Sequence, residues 1–162
     1  MSETVLNSGD TAWMLMSCAL VLLMTPGLAL FYGGMVRAKG VLNMMMMSFI
    51  SMGIVSVLWV LYGYSMAFGK DLGGGLLGDP FQMFGLTKEI APDSFFGTIP
   101  TSVFVAFQAM FAIITVALIS GAIADRTKFG GWIVFVIVWS TLVYFPVAHW
   151  VFDFDSGESD PG

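Results

Sequence analysis

The sequence has 162 residues, 57% of them hydrophobic and 10% charged, with a formal net charge of −5 and a mean hydropathy of +0.87. Soluble domains carry about 25% charged residues, so this composition excludes an ordinary water-facing fold and predicts a membrane protein. No basic block is present, which argues against a nucleic-acid partner, and the one cysteine, Cys18, rules out an intrachain disulfide.

The chain starts Met-Ser-Glu-Thr, with Asp10 following. A secretory signal has a positive start, a short apolar core and a small-residue cleavage site. The first apolar run lacks the positive start and is too long for a signal core, so it reads as a retained span. Crossing a bilayer as a helix takes about 20 apolar residues. No charge occurs from Thr11 to Val36, from Gly40 to Gly69, from Ser94 to Ala124 or from Phe129 to Phe152. These runs predict four helices over 11–33, 41–68, 100–123 and 131–152. They are continuous rather than alternating, which excludes a strand-built barrel. No soluble domain is expected.

Within the first span, Pro26 lacks a backbone N–H, so the carbonyl of Leu22 loses its partner and a kink is expected. Gly27, Ala29, Gly33 and Gly34 are small residues that permit close helix packing. The second loop, 69–99, contains Gly73-Gly74-Gly75, read as a flexible surface loop because no strand precedes it to make a phosphate cradle. The third span carries Phe104, Phe107 and Phe111 on one helical face beside Gln108, and ends on the small pair Gly121-Ala122. The fourth contains Pro146, which frees Leu142, and closes on Tyr144-Phe145-Pro146-Val147-Ala148-His149-Trp150-Val151-Phe152. Aromatic residues there suit a membrane interface, and their faces suit a small cation.

The loops orient the chain. Arg37 and Lys39 lie in the first loop, and Arg126 and Lys128 join Asp125 in the third. The second loop mixes signs, and the tail carries Asp153, Asp155, Glu158 and Asp160 without a base. Positive loops stay in the cytoplasm. That predicts an N-terminus outside, loops one and three inside, and the second loop and tail outside. No acid or base lies within a span, unlike charge-coupled carriers. Neither HExxH nor a His or Cys-His cluster is present, so enzymatic chemistry, a metal and a cofactor are not expected.

Four ordered stretches resemble the ammonium transporter family, which includes the Rhesus-type proteins. They are Thr25 to Arg37 (TPGLALFYGGMVR), Trp59 to Gly69 (WVLYGYSMAFG), the pair Phe107 to Ala112 and Gly121 to Arg126, and Tyr144 to Val151. The resemblance implies an all-α integral membrane protein in which these four helices are part of an eleven-helix fold with inverted five-helix repeats and a path at the repeat interface. It implies a homotrimer in the cell membrane, each subunit with a narrow apolar pore for ammonium or methylammonium, surrounded by lipid. A nitrogen-regulatory protein of the PII type would dock at the inner loops.

Residue by residue, Phe111 matches the third helix's contribution to a pair of stacked gate phenylalanines, and Phe107 matches a phenylalanine one turn earlier. The family's outer recruitment site uses a tryptophan whose position holds Phe152 here, with Trp150 nearby as a substitute. Phe31 and Tyr32 match residues near the inner constriction. The family's two pore histidines belong to its fifth and tenth helices. The single histidine here, His149, matches neither and reads as a hydrogen-bonded interfacial side chain. The chain is therefore expected to be the front portion of a transporter, and unable to transport alone. A four-helix ammonium-sensing or assembly module and a neutral-gas channel are the alternatives.

Overall fold

A computed structural model describes residues 6–72 and 74–152. Gly73 and the segments 1–5 and 153–162, including the tail's Asp153, Asp155, Glu158 and Asp160, lie outside the described residues. Four long apolar helices dominate: α1 (Ser8–Met35), α2 (Val41–Phe68), α3 (Thr101–Ile123) and α4 (Phe129–Phe152). They run alternately up and down. The start of α1, the end of α2, the start of α3 and the end of α4 therefore meet at one end.

The helix boundaries follow local chemistry. Asn7 caps α1, its side-chain oxygen accepting the N–H groups of Gly9 (2.8 Å) and Asp10 (3.2 Å); this satisfies donors that the first helical turn leaves free. α1 therefore starts before Thr11, and it continues as one helix through Pro26. α3 begins after Pro100, whose extended backbone makes it the N-cap. α4 begins at Phe129 rather than 131.

Two helices change their winding. α2 contains a π-helical turn over Trp59–Gly63, and α4 contains one over Ser140–Tyr144. In α4 the wide turn comes directly before the Pro146 region, with the N–H of Phe145 bonding the carbonyl of Ser140. Proline removes a donor from the regular ladder, and α4 stays helical to Phe152. A change of winding thus comes just before the proline at which the ladder was expected to be disturbed.

The second loop is not a loose surface connection. It forms two antiparallel hairpins, β1 (Asp71–Leu72) with β2 (Leu77–Gly78), and β3 (Phe95–Phe96) with β4 (Ile99–Pro100). Gly74 and Gly75 turn the first hairpin at φ +75° and +88°, a region glycine enters without steric cost. The carboxylate of Asp71 accepts the Gly75 N–H there. Ser65 on α2 fastens this crown: its hydroxyl donates to the Asp79 carbonyl and accepts the Met83 N–H (2.9 Å). Thr98 in the second hairpin donates to Asp10 of α1 (2.6 Å).

The core lies along the contact of α2 with α3 and α4. Trp59, Trp132, Phe145, Met47, Val55 and Val136 are fully buried there. The expected small-residue contacts divide. Gly33 packs against Met45 and Ala29 is buried, while Gly27 and Gly34 face open space. α1 buries the smallest share of its apolar window, 11%, against 44% for α3. Hydrocarbon gives no reason to hide such a surface.

Candidate functional site

The phenylalanines of α3 share a helical face but not surroundings. Phe104, near the start of α3, is buried beneath the second hairpin. Its ring stacks on Phe96 at 4.0 Å and meets Phe68 edge-on at 5.3 Å. Phe107 and Phe111, deeper in the helix, meet each other at 5.0 Å with their planes at 74°. Phe107 is half-buried and Phe111 remains 37% exposed. This pair is edge-to-face, a favoured aromatic arrangement.

At the end of α4, Trp150 donates its indole N–H to the carbonyl of Leu76 in the first hairpin (2.8 Å), yet keeps 57% of its surface exposed. The indole edge is fixed and a broad apolar surface stays available. Phe152 is also partly open. Among the described residues, neither ring pairs with Phe107 or Phe111, so the four expected outer residues form two groups.

His149 is buried. Its Nδ1 donates to the carbonyl of Ala67 (3.1 Å), and Nε2 stands 3.6 Å from the carboxylate of Asp71. The ring therefore links α4, the end of α2 and the first hairpin, a structural position that agrees with the sequence reading.

At the opposite end, the Tyr32 hydroxyl donates to the Leu118 carbonyl of α3 (3.0 Å). Its ring occupies the space a side chain at position 121 would need: a Cβ on Gly121 would lie 2.7 Å from the ring. The Gly121 position is thus what lets α1 and α3 approach at this level. Tyr32 also lines a cavity of about 210 Å³ with Met35, Val36, Met44, Gly121 and Ala124. Phe31 meets Tyr32 at 5.7 Å and is 62% exposed, facing away from the four-helix core.

Two features escaped the sequence reading. The first is the α2–α4 seam at the π turns, where Phe145 packs against Gly63, Trp59 and Tyr62. The hydroxyls of Tyr62 and Thr141 lie 2.8 Å apart. Thr141 donates its proton to the Ile137 carbonyl, so Tyr62 is the donor between them. Two wide turns facing each other carry no periodic signal in the sequence, although π turns often mark functional sites. The second is the ion pair of Arg37 with Asp125 (3.3 Å), which closes the first and third loops together. Its signal was present: the acid-free first loop is complementary to the one acid of the third. Asp125 adopts φ +60°, a left-handed conformation that aspartate visits more readily than most residues.

The family model described as Ammonium Transporter Family matches residues 12–157. An ammonium transporter of Mycobacterium tuberculosis is 60% identical, covering 96% of this chain and 36% of its own length. One from Bacillus subtilis is 49% identical over 90% of this chain and 36% of its own. Among solved structures, Mep2 of Candida albicans is 33% identical with a TM-score of 0.77, covering 90% of this chain and 31% of that one. A sensor Amt protein is 25% identical with a TM-score of 0.76, over 87% and 33%. The chain thus spans about a third of the length of the relatives it matches.

Proposed function

We propose that this chain, which belongs to the Ammonium Transporter Family, supplies the first four membrane helices of an ammonium transporter. The carrying observation is the 60% identity to the mycobacterial transporter across 96% of the chain, which leaves no helix outside the match. The relatives are named as transporters, and the reading is transport rather than enzymatic chemistry.

An ammonium ion would be drawn to aromatic faces at the outer end, where Trp150 and Phe152 are open. Ring quadrupoles attract cations by about 0.5–2 kcal/mol depending on desolvation. Indole is the stronger partner, so Trp150 takes this role in preference to Phe152. Phe107 and Phe111 then bound the entrance to an apolar path that rejects hydrated ions, because dehydrating an ion costs several kcal/mol. Phe31 and Tyr32 flank the inner end. Proton handling falls to the family's two pore histidines; His149 is committed to Ala67 and Asp71.

Loops one and three face the cytoplasm in this reading. The intact protein is a homotrimer in the cell membrane, with a PII-type regulator at that face. A membrane-impermeant maleimide tests the orientation on a Cys18→Ser background. Gly74→Cys is labelled from outside intact cells and Lys39→Cys is not; the reverse pattern overturns the assignment.

The functional test is uptake of labelled methylammonium by the intact protein in vesicles, with unlabelled ammonium as competitor. Saturable uptake that ammonium blocks supports the reading. No uptake, or uptake insensitive to ammonium, removes it and favours a neutral-gas channel. Vesicles holding residues 1–162 alone are expected to show none, and uptake there would overturn the assignment of the proton path to other helices. The likeness to a sensor Amt protein keeps a second reading, an ammonium-sensing module. Ammonium-dependent binding of a cytoplasmic partner without any uptake would favour it.

A further inference from the structure

We propose that His149 and Asp71 are positioning residues for the Trp150 indole, and that a proton on His149 tightens their hold. The contacts form a closed ring. His149 Nε2 stands 3.6 Å from Oδ1 of Asp71. The same carboxylate accepts the Gly75 N–H at 2.8 and 2.7 Å. Leu76, the next residue, accepts the indole N–H of Trp150 at 2.8 Å, and Trp150 follows His149 on α4. Two consecutive side chains of one helix thus grip the first hairpin, one through an acid and one through a carbonyl.

The tautomer decides what the acid meets. A carbonyl oxygen only accepts, so the contact of Nδ1 with Ala67 (3.1 Å) places a hydrogen on Nδ1. In the neutral ring Nε2 then carries a lone pair, which faces a carboxylate with no hydrogen between them. At 3.6 Å the two are beyond hydrogen-bonding reach. A proton on Nε2 makes it a donor and sets a positive charge beside Asp71. The histidine side chain is 4% exposed and that of Asp71 46%. The acid is therefore the partner with room to move, and it carries the hairpin turn with it through Gly75 and Leu76.

The other ionisable groups nearby come from the same elements. Asp79 follows the hairpin and spends a carboxylate oxygen on the Phe81 N–H (2.9 Å). The last turns of α2 bring Tyr64 and no charge, and α4 itself brings Tyr144. Asp153 and Asp155 follow α4 in the sequence and carry the same sign as Asp71, while Lys70, the residue before Asp71, opposes it. Histidine is the side chain that changes charge between about pH 5 and 8, so the hold on Trp150 follows the acidity at this end of the bundle. The consequence for transport rests on the reading of Trp150 as the aromatic face that receives ammonium; the contact ring itself does not.

The test replaces the tryptophans of the intact protein with fluorotryptophan and follows the fluorine NMR signal of Trp150, assigned by its absence in Trp150→Phe. In the wild type this signal is expected to shift with pH through the histidine range. It is expected to stay fixed in His149→Gln, which keeps a donor for the Ala67 carbonyl but takes no charge. Uptake gives the second readout. Measured relative to His149→Gln, which removes any pH dependence of the substrate or the pore, the KM for methylammonium is expected to rise about threefold from the acid to the basic end of that range, with kcat unchanged. That is the scale of an ion pair with one partner still in water.

Asp71→Asn keeps an acceptor for Gly75 without the charge. It is expected to lose the pH response as well, and it decides the question if His149→Gln does not fold. A Trp150 signal that ignores pH in the wild type, or that titrates unchanged in either variant, overturns the proposal. So does a variant that unfolds more easily yet keeps the wild-type pH profile of KM, which marks a purely structural contact. If the intact protein takes up nothing, the transport reading falls, and the fluorine titration still decides whether His149 and Asp71 position Trp150.

Discussion

The α2–α4 seam and the open face of α3 use the same residue types in opposite ways. In the seam every large ring is committed. Trp132 donates to the Met47 carbonyl (2.9 Å) and lies near the Ser51 hydroxyl, Trp59 donates to the Val105 carbonyl (3.1 Å), and Phe145 is sealed against Gly63. On α3, Phe107 and Phe111 make one edge contact with each other and leave Phe111 open. In lipid, hiding an aromatic ring from water is no longer a driving force between helices. Burial then reports packing and hydrogen bonding, and a ring that makes neither with its neighbouring helices is free for another task.

The largest test of that contrast is Trp132→Ala. The indole is fully buried with its N–H bonded to α2. Its loss leaves a cavity, while Ser51 keeps its own bond to the Met47 carbonyl, with an expected cost of about 3–5 kcal/mol. Thermal unfolding in detergent measures it, and a loss under 1 kcal/mol would break the seam's status as the core. Gly63→Val comes next. A Cβ at this position would lie 2.6 Å from the Phe145 ring, and overpacking of this kind costs about 1–3 kcal/mol. Combining it with Phe145→Ala should recover part of the loss, whereas simple additivity would show that the two residues do not oppose each other. Tyr62→Phe is smaller. It removes one hydroxyl donor while Thr141 keeps its bond to Ile137, for an expected cost of about 1 kcal/mol.

The same contrast explains what could be read from the sequence. The four helices were legible because charge is absent for whole membrane thicknesses and returns between them. The winding of α2 and α4 was not, since a π turn is fixed by what packs against it. Gly63 looks unremarkable until Phe145 arrives from a helix some eighty residues later. Pro146 signalled a disturbance, but not that it would take the form of a wide turn in a helix continuous to Phe152. The hairpins of the second loop were likewise hidden. Their stability depends on Ser65 and Asp10 reaching from α2 and α1, which no local pattern announces. Among the candidate site residues, the neighbours Phe107 and Phe111 were legible because one helix holds both. Whether Trp150 and Phe152 join them is a matter of distance between helices, and that came from the fold.

Phe111→Ala gives the smallest stability change and the sharpest test of the difference. The ring is partly exposed and its contact with Phe107 is a single edge-to-face pair, so unfolding should shift by about 0.5 kcal/mol or less. Uptake of methylammonium by the intact protein should nevertheless change several-fold, because the truncation opens the apolar entrance. Phe104→Ala makes the control. That ring lies beneath the hairpin crown against Phe96 and Phe68, so it should lower stability by more than Phe111→Ala while leaving the uptake of folded protein close to wild type. If both substitutions act through stability alone, the open face of α3 is merely a lipid-facing surface and Phe111 loses its place at the entrance. If Phe111→Ala alters uptake without altering stability, the rings that this four-helix packing leaves unused are the ones that transport employs.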